Sequence, residues 1–335
     1  MLNPVDAYQI VDREILPLAA EPMPLEAAAG CHLGEGVPAP GGNPMQAPLF
    51  EVGDYLDAGA VGLLDAMERR RVLAVRPPRV AAVGIYDEHT PHPLAATAGQ
   101  PLLLALLKAA QADPMAMGRV RAQHEPVVAT LATATARGDL IVCVAPIQPG
   151  GGLPPHLRAA FSQAGWRDII EAVALDPGPS CMFGRFGKRL DDPLGFILPE
   201  EPTALYVSFQ LFVQPMLRKM AGAPLYDHPR LNVMAGEPVE ALPDVMRFLP
   251  ARLHETGGRL AAYLTGIPDG PPASPLAGAD VLLIVPGDQN DIAPGQEAEA
   301  LVMDPARFTR VAAEHLLVLE RRRGRPAGYM DGIDR

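Results

Sequence analysis

Hydrophobic and polar positions follow two alternating periods in the middle of the chain, between residues 76 and 223. Apolar runs of strand length alternate there with segments whose apolar residues recur every three or four positions. The predicted strands are 79–85, 139–144, 169–175 and 195–198, and the predicted helices are 102–112, 125–137, 155–164 and 203–220, the last with a kink at Pro215. This alternation predicts a three-layer α/β domain, with a parallel or mixed sheet between layers of helices.

The first 75 residues carry a different pattern, in which helical spacing is interrupted by a stretch rich in glycine and proline. Apolar residues at helical spacing predict one or two helices over 4–30 and another over 56–73. Residues 34–48 are too rich in glycine and proline to form regular structure for long. The region 1–75 is therefore predicted to be a helical arm.

Short segments of strand length return after residue 224, divided by glycine and proline turns. They cover 245–253, 260–264, 281–285 and 298–303, and they predict a small β domain or barrel over 224–303. The last region, 304–335, begins with an amphipathic helix predicted over 305–322 that ends in three arginines. Arginines at a helix end are more typical of a solvated terminus than of a binding patch. The sequence leaves the role of this tail open.

Composition and charge exclude several classes of function. The chain has 335 residues and a formal net charge of −11, and its basic residues form no stripe interleaved with aromatics, so we expect no nucleic-acid partner. No apolar run is long enough to span a bilayer and the N-terminus does not resemble a signal peptide, so we expect no membrane partner. Three cysteines are scattered singly, without the spacing of a disulfide framework or a metal site. Together these features predict a cytoplasmic protein.

One polar cluster could carry chemistry. Asp87 and Glu88 follow the strand that ends at Ile85, and His89 and His92 come shortly after them. The carboxyl ends of parallel strands are where α/β sheets bind ligands, and two acids with two histidines could also hold a metal. A solvated polar turn, which is the favoured interpretation, a remnant of a ligand site and a metal site all remain open.

A glycine loop is the second candidate. Gly150, Gly151 and Gly152 stand between the strand over 139–144 and the next predicted helix. Such a loop lets backbone amides approach an anion at a helix N-terminus, but a flexible connection explains it equally well. Cys143, by contrast, reads as a buried strand residue rather than a nucleophile. The chain has none of the phosphate-binding, zinc-protease or serine-hydrolase motifs GxGxxG, GxxxxGK[ST], HExxH and GxSxG.

An ordered series of segments resembles the MoeA / gephyrin E-domain family, the molybdopterin molybdenumtransferases. The matching segments are VGDYLDAGAVGLLDAM (52–67), RPPRVAAVGIYDE (76–88), DLIVCVAPIQPG (139–150), ALDPGPSCMFG (174–184), GFILPEEPTALYVSFQLFVQPMLRKMAG (195–222) and PLAGADVLLIVPGDQNDIAPGQEAEALVM (275–303). The resemblance implies a homodimer formed through the arm and a site for molybdopterin. The positions that match the family's motifs at that site are Gly150, Gly178, Pro199 and Pro202.

The sequence also departs from the family's pattern at most of the polar motifs. The DNSAMDGYA motif has no counterpart in GGNPMQAPLFEVG (41–53), and the small domain inserted there in the family is expected to be missing near 41–50. The acidic pair Asp87-Glu88 is kept. Asp176 and Pro179 stand where the family has lysines, Glu200-Glu201 replace Gly-Asn, and Ala122-Gln123 replace another acidic pair.

These departures lead to two hypotheses from different classes. The favoured one is a non-catalytic family member, a dimeric binding or scaffold protein with a protein partner and no cofactor of its own. The alternative is a working enzyme, which would insert molybdenum into adenylylated molybdopterin or perform altered chemistry with Asp87 and Glu88. The sequence does not choose between molybdenum cofactor handling and an unrelated pathway for the scaffold.

Overall fold

The computed structural model describes residues 1–39, 48–87, 95–148, 150–178, 181–266, 273–288 and 290–303, without the side chains of 95–98. The chain divides into two compact units, Met1–Asp227 and His228–Arg335. The helix predicted over 305–322 lies outside the described residues. Within the described ranges, no helix is long and apolar enough to cross a membrane.

The first 75 residues combine short helices with a three-stranded sheet. The elements are α1 (Pro4–Glu14), β1 (Glu21–Pro24), α2 (Leu25–Ala28), β2 (His32–Leu33), α3 (Ala58–Ala66) and β3 (Arg71–Val75). β3 pairs antiparallel with β1 on one side and with β2 on the other. Leu33, Leu64 and Val72 belong to the buried cluster of this region.

Both helical predictions in this region run too far. α1 and α2 confirm two helices within 4–30, but β1 separates them, because Pro22 and Pro24 disfavour a helix and are tolerated on an edge strand. The helix predicted over 56–73 ends at Ala66, and Glu68 then adopts a left-handed backbone with φ of 60°. Residues 71–75 form β3 instead.

A six-stranded sheet forms the centre of the region from residue 76 to residue 198. The strands in this region are β4 (Arg79–Tyr86), β5 (Asp113–Arg121), β6 (Leu140–Val144), β7 (Trp166–Ile170), the short β8 (Leu175–Asp176), β9 (Met182–Phe186) and β10 (Leu194–Leu198). The order in the sheet is β5-β4-β6-β10-β9-β7. β5, β4, β6 and β10 are parallel to one another, whereas β9 is antiparallel to both of its neighbours.

Helices cover both faces of this sheet, which confirms the predicted three-layer α/β fold. They are α4 (Ala95–Ala109), α5 (His124–Thr135), α6 (Pro155–Gln163), α7 (Pro202–Ser208), a π-helical segment (Phe209–Val213) and α8 (Gln214–Met220). α5 and α6 share a core with the face that carries Ile85 and Cys143. On the other face, α4 comes so close to β6 that a Cβ on Gly99 would lie 2.6 Å from the side chain of Val144.

Two details of this region differ from the sequence prediction. The strand expected over 169–175 begins earlier, as β7, because Trp166 and Ile170 are its buried ends. The helix expected over 203–220 contains the π-helical segment, and Pro215 falls in the first turn of α8 directly after it. The helix continues through this point, so the missing N–H of Pro215 falls next to the π-helical segment, where the regular α-helical hydrogen-bond pattern is already interrupted.

The second unit is a five-stranded barrel. Its strands are β11 (Arg230–Ala235), β12 (Met246–Thr256), β13 (Arg259–Leu264), β14 (Val281–Val285) and β15 (Glu297–Val302). They follow the order β13-β11-β15-β14-β12, and pairing of β12 with β13 closes the ring. Val233, Leu253 and Leu283 belong to the buried cluster of this unit. The β domain is confirmed, although β11 was not among the predicted strands.

Candidate functional site

Three parallel strands of the large sheet end side by side. Gly84 of β4 pairs with Val144 of β6, and Val144 pairs with Leu198 of β10. Asp87, Ala145 and Glu200 therefore follow the ends of neighbouring strands, within three residues of the paired positions. We call this region, formed by residues 86–87, 145–148 and 199–201, the carboxyl edge. Ligands of α/β sheets bind at such an edge, as the sequence analysis expected for Asp87.

The carboxyl edge brings Asp87 and Glu200 close enough to influence each other. Glu200 is half-buried, and this burial, together with the charge of Asp87, raises the pKa of the Glu200 carboxyl to about 7. A carboxyl group with such a pKa is partly protonated at neutral pH, so it can either accept or donate a proton. The sequence singled out both residues separately but did not place them together.

Glu201 has a different role from its neighbour. It is the N-cap residue of α7, and its carboxylate accepts hydrogen bonds from the backbone N–H of Thr203 at 3.0 Å and of Ala204 at 2.5 Å. The amides at a helix N-terminus would otherwise be available to a bound anion. In this chain a side chain of the protein itself takes them.

Three of the predicted binding positions lie around this N-cap. Pro199 and Pro202 are buried on either side of the two glutamates, and Pro202 is in the first turn of α7. Gly178 has φ of +76°, and a Cβ there would lie 2.7 Å from the Cβ of Ala204. The turn at Gly178 therefore packs on the first turn of α7, and only glycine fits at this close approach.

The fourth position, Gly150, lies in a loop that is closed by its own hydrogen bonds. The N–H of Gly151 donates to the carbonyl of Gln148, and the N–H of Gln148 donates to the carbonyl of Gly152. Gly150, Gly151 and Gly152 all have positive φ, between 82° and 97°. The loop packs beside Glu171, so at least two of its amides are turned inward rather than toward a ligand.

The remaining candidates concern a metal. Glu88, His89 and His92 lie outside the described residues, as does Pro179. In the part of the chain that the structure describes, no three His, Cys, Asp or Glu side chains are grouped so that they could hold a metal ion. The metal interpretation of the cluster after Ile85 therefore stays a prediction.

Arginines also reach the carboxyl edge, next to β4. The guanidinium of Arg119 lies 4.7 Å from the centre of the Tyr86 ring, and Arg121 pairs directly opposite Tyr86 in the sheet. The two arginines are two residues apart on β5, so they share a face of the sheet. The edge is consequently acidic at β4 and β10 but basic at β5. The sequence analysis had emphasised only its carboxylates.

Comparison with known proteins identifies the fold and the proteins that this chain is similar to. Residues 232–303 match the family profile of the MoeA C-terminal region (domain IV). The chain is 25% identical over 258 residues to molybdopterin molybdenumtransferase 1 of Mycobacterium tuberculosis, a match that covers 73% of this chain and 59% of that protein. The MoeA protein of Pyrococcus horikoshii has the same fold, with a TM-score of 0.70 at 15% identity over 91% of this chain and 99% of that one. The chain is MoeA-like in its fold and in the sequence of its C-terminal region.

This MoeA-like chain spans about 59% of the length of the first curated relative that it matches. Its match to the molybdopterin molybdenumtransferase of Nostoc, 27% identical over 186 residues, covers 52% of this chain and 41% of the relative. The region 41–50, where the sequence analysis expected a missing domain, lies mostly outside the described residues. The activity of the relatives is therefore not transferred to this chain by the match alone.

The cysteines of this MoeA-like chain are not nucleophile candidates. Cys31, Cys143 and Cys181 are all buried. Burial raises the pKa of the Cys181 thiol to about 12 and the pKa of the Cys143 thiol further still. A thiol with such a pKa stays protonated at neutral pH and is a poor nucleophile. The sequence interpretation of Cys143 as a buried strand residue is confirmed.

Proposed function

We propose that this MoeA-like chain has lost molybdenumtransferase catalysis and acts as a dimeric binding or scaffold protein in molybdenum cofactor handling. The observation that carries the proposal is the capping of α7 by the Glu201 carboxylate. The resemblance implies ligands that are anions, an adenylylated pterin phosphate and molybdate. A carboxylate already bound to the amides of the helix N-terminus competes with them for the same donors.

The charges around Glu201 support the same conclusion. Glu200 and Asp87 lie at the same edge of the sheet, and Asp176 stands where the family's motif has a lysine. A cation about 4 Å from a phosphate contributes roughly 1–4 kcal/mol, depending on the local dielectric, and a carboxylate there reverses the sign. Several such changes together correspond to a loss on the order of 10³-fold in affinity for an anion.

Calorimetry with molybdopterin and its adenylate tests this loss directly. We expect no measurable binding to the wild-type chain at tens of micromolar. The double variant Glu200→Gln with Glu201→Ser removes both charges and replaces the carboxylate that occupies the amides of α7 with a shorter, neutral cap, so we expect it to bind better than wild type. Low-micromolar binding by the wild-type chain would contradict the proposal. Complementation of a strain that lacks its molybdenumtransferase provides the functional readout. We expect that this chain does not restore molybdenum-enzyme activity in that strain.

A second candidate, an active enzyme with altered chemistry, is favoured by one observation. The pKa of Glu200 is raised to about 7 beside Asp87, which suits a general acid or base at neutral pH. If this function holds, the wild-type chain restores molybdenum-enzyme activity in the complemented strain, and Asp87→Ala, Glu88→Ala and Glu200→Gln each abolish it. Activity that survives all three substitutions would exclude this chemistry.

The surface of the arm supports the dimeric part of the proposal. α3 is almost wholly apolar, yet Leu64 is its only buried residue within the described chain. Beside it lies a groove of about 790 Å³ whose lining includes Leu25, Tyr55 and Val61. Asp65 and Arg70 both line this groove and form an ion pair with each other at 3.7 Å, so this pair adds no net charge that would repel a second copy.

A further inference from the structure

We propose that residues 305–322 of this chain dock as an amphipathic helix on the outer face of the barrel, over strands β12, β14 and β15. The sequence predicts this helix from its apolar spacing but leaves its role open. We call residues 305–322 the tail helix. The barrel carries an apolar outer surface that needs a cover, and the tail helix follows directly after the last strand of that surface.

β14 is apolar and buried on both of its faces. All five of its residues, Val281–Val285, are buried, and three of them belong to the inner cluster of the barrel. Leu282 and Ile284 alternate with those three, so they point outward. They are nevertheless only 0% and 7% exposed. A strand that is apolar and buried on both faces lies between two layers, so a layer outside the barrel covers this side of β14.

The neighbouring strands extend this outward surface. Residues directly opposite each other in an antiparallel pair lie on the same face. Phe248 of β12 is opposite Ile284, and Leu301 of β15 is opposite Leu282. Phe248 and Leu301 are 4% and 7% exposed. We call Phe248, Leu282, Ile284 and Leu301 the outer strip, an apolar surface that crosses three strands.

The position of the tail helix in the chain places it beside the outer strip. β15 ends at Val302, one residue after Leu301. Asp304 and Pro305 come next, and an acidic residue followed by proline is a typical helix start. β15 is about 17 Å long, whereas a helix over 305–322 is about 27 Å long. The tail helix is therefore long enough to turn back along β15 and cover the whole outer strip.

The tail helix offers an apolar stripe to this surface. Phe308, Ala312 and Leu319 fall within about 40° of one another around a helix with 3.6 residues per turn. Val311 and Leu316 flank them on either side. A helix with an apolar stripe on one side and charges on the other packs that stripe against a second layer. The outer strip supplies this layer within the same unit.

Charge favours the same pairing. Residues 304–335 carry seven arginines and five acids, whereas residues 228–303 carry four arginines and ten acids. Two of these acids, Glu297 and Glu299, line a groove of about 250 Å³ together with Ile284 of the outer strip. A basic segment is attracted to such an acidic surface, and the attraction is strongest at low ionic strength.

Thiol labelling of the full chain tests whether the tail helix covers the outer strip. Ile284→Cys is the reporter, and Ala251→Cys, in the inner cluster, shows whether the barrel stays folded. The native cysteines are buried, so they add little background. We expect Ile284→Cys to react slowly, and at least about 10-fold faster when Ala312→Asp and Leu319→Asp place two carboxylates on the apolar stripe. Ala251→Cys should stay slow with the same two substitutions.

Ala313→Asp with Leu317→Asp is the matched control. This pair also replaces one alanine and one leucine by aspartate, but on the other side of the tail helix, so Ile284→Cys should still react slowly. Fast labelling of Ile284→Cys with an unchanged tail would show an open strip. Slow labelling in every variant would show a different cover, and equal acceleration by the two pairs would show no preferred face. Each of these three results would overturn the proposal.

Two further measurements keep the test decisive. If the aspartates unfold the barrel and Ala251→Cys also becomes fast, Leu319→Ala against Leu317→Ala repeats the comparison without added charge. Tryptic cleavage after Arg310 reports on the tail helix itself. It should be slow in wild type and in the control pair, and faster with Ala312→Asp and Leu319→Asp. Cleavage that is equally fast in all three chains would contradict docking.

Discussion

Glu200 and Glu201 are neighbours in the chain, but the fold gives them opposite environments. Glu201 is hydrogen-bonded into the first turn of α7, where a negative charge is favoured by the helix dipole. Glu200 faces Asp87 in half-buried surroundings, where a negative charge is disfavoured. A single substitution at each position therefore tests a different physical effect.

The first prediction concerns Glu200 and pH. Because the pKa of Glu200 is raised in the folded chain, from near 4.5 to about 7, the folded state binds more protons than the unfolded state between these values. The free energy of unfolding contributed by this residue therefore falls as pH rises from about 4.5 to 7 and stays constant above. Urea unfolding measures the free energy of unfolding of Glu200→Gln minus that of wild type. We expect this difference to be about 1–2 kcal/mol larger at pH 8 than at pH 5, after allowance for solvent screening.

The second prediction concerns the cap at Glu201. Glu201→Ala removes both side-chain hydrogen bonds to α7, so we expect the free energy of unfolding to fall by about 1 kcal/mol. Glu201→Ser restores a capping oxygen without the charge and should recover most of this loss. Chemical denaturation of wild type and of both variants at pH 7 measures these differences in the free energy of unfolding. If both variants were as stable as wild type, the cap would contribute nothing to stability.

The candidate site was only partly readable from the sequence at this scale. Asp87 was found because it follows a recognisable strand, and Glu200 and Glu201 because they interrupt a family motif. The pKa of Glu200 near neutral pH and the capping role of Glu201 depend on burial and on distances to other groups in the fold. The identities of neighbouring residues in the sequence do not give these quantities. The cation of Arg119 over Tyr86 was missed for the same reason.

At the scale of elements, the glycine loop separates two effects of a substitution, the strain of a positive φ and the steric contact of an added Cβ. Gly150 and Gly151 have similar positive φ, +89° and +97°. Nothing lies within 4 Å of a Cβ built on Gly150, whereas a Cβ on Gly151 would lie 2.5 Å from that of Ala172. The same substitution at the two positions therefore differs only in the steric contact.

The third prediction follows from this pair. Gly150→Ala should lower the free energy of unfolding by about 1–2 kcal/mol, the strain of a left-handed backbone for a residue with a Cβ. Gly151→Ala should lower it by at least about 1 kcal/mol more, since Ala172 or the loop must move. Thermal unfolding of both variants makes the comparison. If Gly151→Ala were as stable as Gly150→Ala, the loop would not be packed against Ala172 as the structure has it.

Elements with one strong local signal were the ones predicted best from the sequence. β6 is apolar along its whole length, and α5 begins and ends within two residues of the prediction. Residues 71–73, the first three of β3, were predicted as the end of a helix, because they suit either structure and only the neighbouring strands β1 and β2 make an extended chain favourable. Strand preference depends on such partners more than helix preference does.

For the whole molecule, the proposed dimer would have its interface on the arm. Leu63 is 44% exposed on α3, next to the groove that carries Tyr55 and Asp65. Exposed apolar residues that cluster beside a groove mark interaction sites more often than scattered ones do. A symmetric dimer would bury two copies of this surface.

The fourth prediction is that Leu63→Glu converts a dimer into a monomer. Wild type should sediment as a dimer at micromolar concentration, and the variant should do so only at concentrations at least about 10-fold higher, because each dimer buries two added carboxylates. Leu190→Glu, at a leucine that is 90% exposed outside the arm, is the matched control and should stay dimeric. A monomeric wild type, or equal loss in both variants, would contradict an interface at the arm.

The sequence by itself determined the three-layer α/β fold, the β domain and the family resemblance, because these depend on local periodicity and on the order of motifs along the chain. Only the tertiary structure decided that the barrel closes through β12 and β13, that Asp87 and Glu200 share one edge, and that Glu201 occupies the amides of α7. Each of these features joins residues far apart in sequence or depends on burial. The hydrophobic pattern and the composition of the sequence do not specify such distances.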